Sequence, residues 1–510
     1  MGPTEVPQEP TEEPQERLEG SALRPSQRIA FATLARTAGE AFAKLASLVF
    51  FIVIARELGE DDFGDFIFGA SLATVLLMGA GVGMEELISR EVARDHRRVD
   101  ELLWNILALK ALILALVLAV IAVVVTIQGY SLETALAILV VSAGVGFEYE
   151  ANALFAVFQG YERQQHVAAS LIVNRVSTLA LVVAVLLAGG GLLAVSTLYA
   201  VGSALGLGAA YLLMRRYVVH PRYEVDPGRW RRLLRTSIPL GLVAVLGVIS
   251  LRSSVVLLGL LGGSSGEVGE YGAAFRLIEA TLFVSWAFSG AVLPWFSRHP
   301  GSGRVSIAQG FEISLKAIVS IMLPLALGLA LFAEPMIETL YGTEYDGAVE
   351  PLRLLAVMAV LVGVNGVVTA VLIARDRPRV YAVPAAVAIT SMLILSVILI
   401  PPHGVVGAAL AAVLSGILLA VLTTVATVRL VGSISTPRIA VAPLLAGGLM
   451  AVAVVLLSGA PWIPAALVAT LAYGAAFLAI ERVFFPSDFA YYAGVTRLRR
   501  RGAAVEPIGP

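Results

Sequence analysis

Residues 102–128 read LLWNILALKALILALVLAVIAVVVTIQ, a run whose only charge is Lys110. A helix rises 1.5 Å per residue, so about 20 apolar residues cross the roughly 30 Å hydrocarbon core of a bilayer. Hydrocarbon offers no water to the backbone, so such a run must satisfy its own N–H and C=O groups as a helix. Runs of this kind recur on both sides of it. They predict spans near 29–56, 64–88, 102–128, 131–159, 165–188, 192–214, 237–261, 269–297, 306–333, 350–374, 380–400, 404–428, 439–458 and 462–481. The expected fold is therefore an all-α polytopic membrane protein of about fourteen transmembrane helices.

Composition agrees. The chain of 510 residues is 58% hydrophobic and 14% charged, with mean hydropathy +0.86. Soluble domains are about half apolar and a quarter charged. Cysteine is absent, which excludes disulfides, thiolate metal sites and cysteine nucleophiles. The five histidines, His96, His166, His220, His299 and His403, form no ligand-spaced pair, so no metal site and no cofactor is expected. The first 26 residues are rich in Pro and Glu, without an apolar run, and read as a disordered tail.

Arginines mark alternate loops. Arg90, Arg94, Arg97 and Arg98 follow the second span, and Arg163 follows the fourth. Seven arginines between Arg215 and Arg235 follow the sixth, and Arg375, Arg377 and Arg379 the tenth. Odd loops are nearly free of positive charge, and Glu334, Glu338, Glu344, Asp346 and Glu350 make one of them acidic. By the positive-inside rule the even loops and both termini are cytoplasmic, at the plasma membrane.

An internal repeat runs through the first twelve spans. Phe63-Gly64-Asp65-Phe66 answers Val268-Gly269-Glu270-Tyr271. The segment opening at Gly191 answers the one at Gly404, and Gly160-Tyr161-Glu162-Arg163 answers Ala374-Arg375-Asp376-Arg377. The offset covers an even number of spans, so the two copies share one orientation, as parallel repeats about an axis along the membrane normal. The expected organisation is a tail (1–28), a six-helix lobe (29–214), a basic linker (215–236) and a second six-helix lobe (237–428). Two added helices (439–482) and a cytoplasmic tail (483–510) complete it. Two such lobes suit a rocking, alternating-access mechanism.

Ionisable groups inside the membrane cost at least about 2.5–3.5 kcal/mol and belong in a wet cavity or a pair. Arg36, Glu40 and Lys44 share a face of the first helix, with Glu40 roughly 16 Å deep. Arg276 and Glu279 lie within a turn of each other, as do Glu312 and Lys316. Arg252 has no acid near it in sequence, and Arg175 lies midway along the fifth span. Lys110 is expected to snorkel outward. Glu148 and Glu150 lie toward the cytoplasmic part of the fourth span, where an interfacial place accounts for them. The pattern predicts a cationic cleft for an anionic substrate, with Arg252 foremost, then Arg36, Arg175, Arg276 and Lys316. Glu40 is the expected site of a coupling proton or sodium ion.

Three stretches carry a family likeness. The first runs Ile54-Ala55-Arg56-Glu57-Leu58-Gly59, Phe63-Gly64-Asp65-Phe66, Gly81-Val82-Gly83-Met84-Glu85-Glu86 and Ser89-Arg90-Glu91-Val92-Ala93-Arg94. The second is Pro239, Leu257-Leu258-Gly259, Val268 to Leu277 and Leu293-Pro294; the third is Gly404 to Ala409. Together they resemble the polysaccharide and oligosaccharide-lipid flippases of the multidrug/oligosaccharidyl-lipid/polysaccharide exporter superfamily. The family often has an acid shortly before the Leu-Gly of the seventh helix; here Arg252 stands in that stretch. The resemblance implies a two-lobed flippase, not an enzyme, whose partners are a lipid-linked pyrophosphate glycan and membrane lipid rather than nucleic acid. The alternative it leaves is a multidrug cation antiporter of the same fold. No Gly-x-x-x-x-Gly-Lys sequence is present to cradle a nucleotide.

Overall fold

The computed structural model describes residues 25–298, 307–377, 379–432 and 434–486; the side chains of 25–38, 40, 243, 244 and 379 fall outside the description. Within these limits the chain is helical. Its α-helices are α1 (Pro25–Ala80), α2 (Met84–Arg94), α3 (Val99–Ile127), α4 (Leu132–Gly160), α5 (Gln164–Leu187), α6 (Leu192–Tyr217) and α7 (Trp230–Leu260). There follow α8 (Ser265–Arg298), α9 (Ile307–Leu331), α10 (Ala333–Leu340), α11 (Val349–Ala374), α12 (Arg379–Val431), α13 (Thr436–Leu456) and α14 (Trp462–Phe484).

Two of these helices are hairpins. Gly59 breaks α1 with φ 78°. Sixteen residues along a straight helix cover about 24 Å, yet the rings of Phe50 and Phe66 lie 6.2 Å apart. The chain has therefore turned back at Gly59, where a side chain would be strained. Gly404, with φ 50°, does the same in α12 after Pro401 and Pro402. There a Cβ on Gly407 would sit 3.0 Å from the backbone nitrogen of Ile400. Counting each hairpin as two arms gives fourteen spanning segments among the described residues, as the sequence predicts. The sequence reading did not separate α2. Its axis bends 50° from α1 at Gly81–Gly83, where Gly83 takes φ 73°.

The arms of α1 pack with α4 and α5, α4 and α5 pack with α6, and α3 with α4. A second group joins α8, α9, α11, α12 and α7 in the same manner, with α13 and α14 paired outside it against α9. Large buried aromatics, among them Phe63, Phe66, Phe158, Tyr271 and Tyr345, fill the cores. Outward faces carry Leu, Ile and Val, such as Leu116, Val123, Ile398 and Leu471, as a lipid-facing surface requires.

The groups meet at both ends. At the hairpin end, Gly64 of α1 abuts Gly269 of α8. Ser265 Oγ donates to Asp65 Oδ1 at 2.6 Å and Tyr345 OH donates to the Ala55 carbonyl at 2.8 Å. At the opposite end, where residues 218–229 link α6 to α7, Gly83 abuts Gly241 and Ser237 of α7. The linker is clamped to α3 by the fully buried Asn105. Its Oδ1 accepts from Asp226 N–H at 2.7 Å and Trp230 Nε1–H at 3.3 Å, and its Nδ2 donates to the Glu224 carbonyl at 3.0 Å.

Candidate functional site: a cationic cavity between two closed ends

Between the two glycine contacts, four helices bring cations together. Arg252 of α7 donates to Glu279 Oε1 at 2.6 Å, and Arg276 donates to Glu279 Oε2 at 2.6 Å. The i,i+3 pairing of Arg276 with Glu279 follows from helix geometry. The pairing of Arg252 does not, because α7 and α8 must meet first. Arg252, expected to be without an acid, thus shares a carboxylate with Arg276.

Arg175 of α5 makes a two-pronged pair with Glu148 of α4, at 2.9 and 3.3 Å. Tyr199 OH of α6 also donates to Glu148, at 3.3 Å. Glu148 is therefore an inward partner of Arg175 rather than an interfacial residue. Lys44 of α1 lies over the Trp286 ring at 5.0 Å and within electrostatic reach of Glu279, Arg252, Arg175 and Arg276. Arg276 lies over the Phe51 ring at 3.5 Å and Arg252 over Phe275 at 5.5 Å. Such faces hold cations in place while leaving their donors directed elsewhere.

Lys44, Arg175, Arg252 and Arg276 carry four positive charges against two on Glu148 and Glu279, a surplus of two. All are partly buried, and their positions along the helices place them at mid-depth in the bundle. Lys44, Ser47, Phe51, Arg276 and Glu279 line a cavity of about 30 Å³. That is room for a water molecule or two.

The other expected residues fall elsewhere. Arg36 and Glu40 lie in the first arm of α1, with their side chains outside the description. Lys316 is buried and pairs with the buried Glu481 of α14, with its Nζ 2.7 and 2.9 Å from the two carboxylate oxygens. Glu312, its neighbour one turn away, meets Arg438 at 3.1 Å and accepts from Ser435 N–H at 2.9 Å. Lys316 thus ties α14 to α9, away from the cavity. Lys110 does not snorkel: it is fully buried, 2.6 Å from Glu85, and donates to the Tyr149 carbonyl. Sequence reasoning missed Tyr199, Phe51 and Trp286. Their signal, aromatics at mid-span, is shared with ordinary packing residues.

Comparison with known proteins bears on this arrangement. The family profile described as polysaccharide biosynthesis protein matches residues 32–299, and that of the lipid II flippase MurJ matches residues 210–481. A probable low-salt glycan biosynthesis flippase, Agl15 of Haloferax volcanii, is 28% identical over 153 residues. That match covers 30% of this chain and 32% of the length of the relative. Among solved structures, the lipid II flippase MurJ in an inward closed conformation superposes with a TM-score of 0.70 at 15% identity, over 89% of this chain and 98% of that one. An inward-facing multidrug resistance MATE family transporter of the MOP superfamily gives 0.60 at 16% identity, over 76% and 95%. Both likenesses are of fold. With one profile covering just over half of its length and the second taking in the rest of the bundle, the chain belongs to the polysaccharide biosynthesis protein family and is built on the fold of the MurJ flippase.

Proposed function

We propose that this chain is a flippase that moves a lipid-linked oligosaccharide or polysaccharide precursor across the membrane by alternating access. The observation that carries the reading is the cation surplus gathered around Glu279 and Glu148, between the two ends where the helix groups meet. A phosphate or pyrophosphate headgroup needs guanidinium donors in a low-dielectric site, where each charge-assisted hydrogen bond counts for more than in water. Arg252, Arg276, Arg175 and Lys44 supply them. Glu279 and Glu148 hold these cations in place until an anion displaces them. The glycan stays in the wet cleft while the lipid tail remains in the bilayer.

The lobes at 29–214 and 237–428, joined by the linker at 215–236, are the moving bodies of this reading. The linker end and both termini face the cytoplasm, by the arginine pattern of the even loops. A coupling cation at Glu40 rests on that residue's place in the sequence. The drug-antiporter alternative would need a carboxylate free to meet a cation, and both carboxylates of the described charge cluster, Glu279 and Glu148, are held by arginines.

Trp286, under Lys44, provides the test. Addition of a polyprenyl pyrophosphate to purified protein is expected to change tryptophan emission saturably, with Arg276→Gln weakening the response about tenfold or more, the size of one charged hydrogen bond. A response to lipophilic cations, with none to the pyrophosphate lipid, would favour the antiporter.

A further inference from the structure

A second charged cluster lies away from the cavity, beside the linker-end contact between the lobes. Lys110 of α3 is fully buried, bonded to Glu85 of α2 and to the Tyr149 carbonyl of α4. Its ammonium sits 3.7 Å from the Tyr149 ring centroid. Glu150, the next residue on α4, is 8% exposed, and its Oε1 has no hydrogen-bond partner among the described residues.

The charges acting on Glu150 are Lys110 from α3 and Glu85 from α2. Glu86 follows on α2. Glu148, with Arg175 of α5 and Tyr199 of α6, lies two residues back on α4, turned about 200° away. One lysine therefore faces two carboxylates. Lys110 and Glu85 already neutralise each other, so an ionised Glu150 would add an unmatched charge inside the bundle.

The cluster is wired to the gate. Glu85 stands two residues after Gly83, the point where α2 abuts Gly241 and Ser237 of the other lobe. The Tyr149 hydroxyl fills the space that a Cβ on Gly81 would need, so the same side chain props the bend before α2. Water reaches Glu85 through an open pocket of about 550 Å³, also lined by Glu86, Ser89, Arg90, Asn152 and Gln159.

We infer that Glu85, Lys110 and Glu150 form a proton-binding latch on the linker-end gate. In the closed form Glu150 holds a proton and Lys110 is committed to Glu85, which fixes the first turn of α2 against α7. When Glu150 gives up its proton, which passes by way of Glu85 to water in the pocket, its carboxylate competes for Lys110. The hold on Glu85 weakens and α2 is released from α7. The proton is the ligand, and its departure opens this end.

This inference rests on the alternating-access reading, but its test needs no substrate, so it fails or stands apart from translocation. Spin labels at Ala93→Cys and Thr236→Cys, both exposed and on opposite lobes, report the gate in a chain with no other cysteine. The inter-label distance is expected to shift longer as pH rises. Glu150→Gln should hold the short distance at every pH, and Glu85→Gln should give the long one at every pH. An infrared carbonyl band of a protonated carboxylic acid should be present in the parent and missing from Glu150→Gln. A parent distance that ignores pH, a Glu150→Gln protein that follows pH as the parent does, or an unchanged carboxyl band would overturn the latch.

Discussion

Gly64 and Gly269 lie back to back across the junction of the two lobes, so close that a Cβ on Gly64 would fall 2.9 Å from the backbone nitrogen of Gly269. They are also the matching glycines of the internal repeat. The pseudo-symmetry legible in the sequence thus passes through a physical contact: two small residues let two helices touch backbone to backbone. The same contact closes the cavity at the hairpin end.

Gly64→Leu should therefore prop this end open. Overpacking costs about 1–3 kcal/mol, which is about 5- to 150-fold in population. A cysteine introduced at Ser47, on the cavity wall, should react faster by that factor with a membrane-impermeant thiol reagent added from the outside. Unchanged labelling would show that the gate lies elsewhere.

Glu279 holds two arginines, so Glu279→Gln should leave Arg252 and Arg276 facing each other with no full counter-charge. Thermal stability should fall, by about 1–3 kcal/mol for these partly exposed groups, while affinity for a pyrophosphate lipid rises. Titration of ligand into the variant, with melting followed in parallel, checks both signs. A variant that is weaker in both would make Glu279 a substrate contact.

Lys316→Met should destabilise the chain by about 3–5 kcal/mol, because it removes the buried ammonium that pairs with both oxygens of the buried Glu481 carboxylate. Lys316→Met with Glu481→Met should recover most of that loss, since a buried pair is often replaced by apolar groups at little cost. Both proteins should retain headgroup binding. If the double variant melts normally yet fails to bind substrate, Lys316 belongs to the transport path after all.

Asn105 serves three linker groups at once. Asn105→Ala should cost about 1–3 kcal/mol through the orphaned Asp226 N–H and Glu224 carbonyl. Limited proteolysis between residues 218 and 229 should speed up accordingly. An unchanged cleavage rate would mean that the linker is held instead by Asp100, which accepts from Arg222 N–H at 2.8 Å, and by Trp104, whose Nε1–H donates to the Pro221 carbonyl at 3.5 Å.

What the sequence revealed, and what it hid, follows from distance along the chain. Hydrophobic runs, loop arginines and repeat glycines are local signals, and they give the spans and the match of Gly64 with Gly269. The i,i+3 pair Arg276–Glu279 is local too. Arg252–Glu279, Arg175–Glu148 and Lys316–Glu481 each join different helices, and no periodicity says which helices adjoin. For that reason Arg252 read as lacking an acid and Lys316 as a cleft residue. Lys110 read as a snorkelling side chain because its depth along one helix was visible and the covering helices were not. The separate turn at α2 was hidden by the apolar run that passes through Gly81 and Gly83.

The most direct measurement is headgroup translocation in proteoliposomes, with a labelled polyprenyl-pyrophosphate oligosaccharide and the parent beside Arg252→Ala and Arg276→Ala. The parent is expected to carry the label across the bilayer, and both variants, reconstituted and folded, to be slowed at least tenfold. Transfer by the variants at the parent's rate would contradict a cationic headgroup site between the lobes.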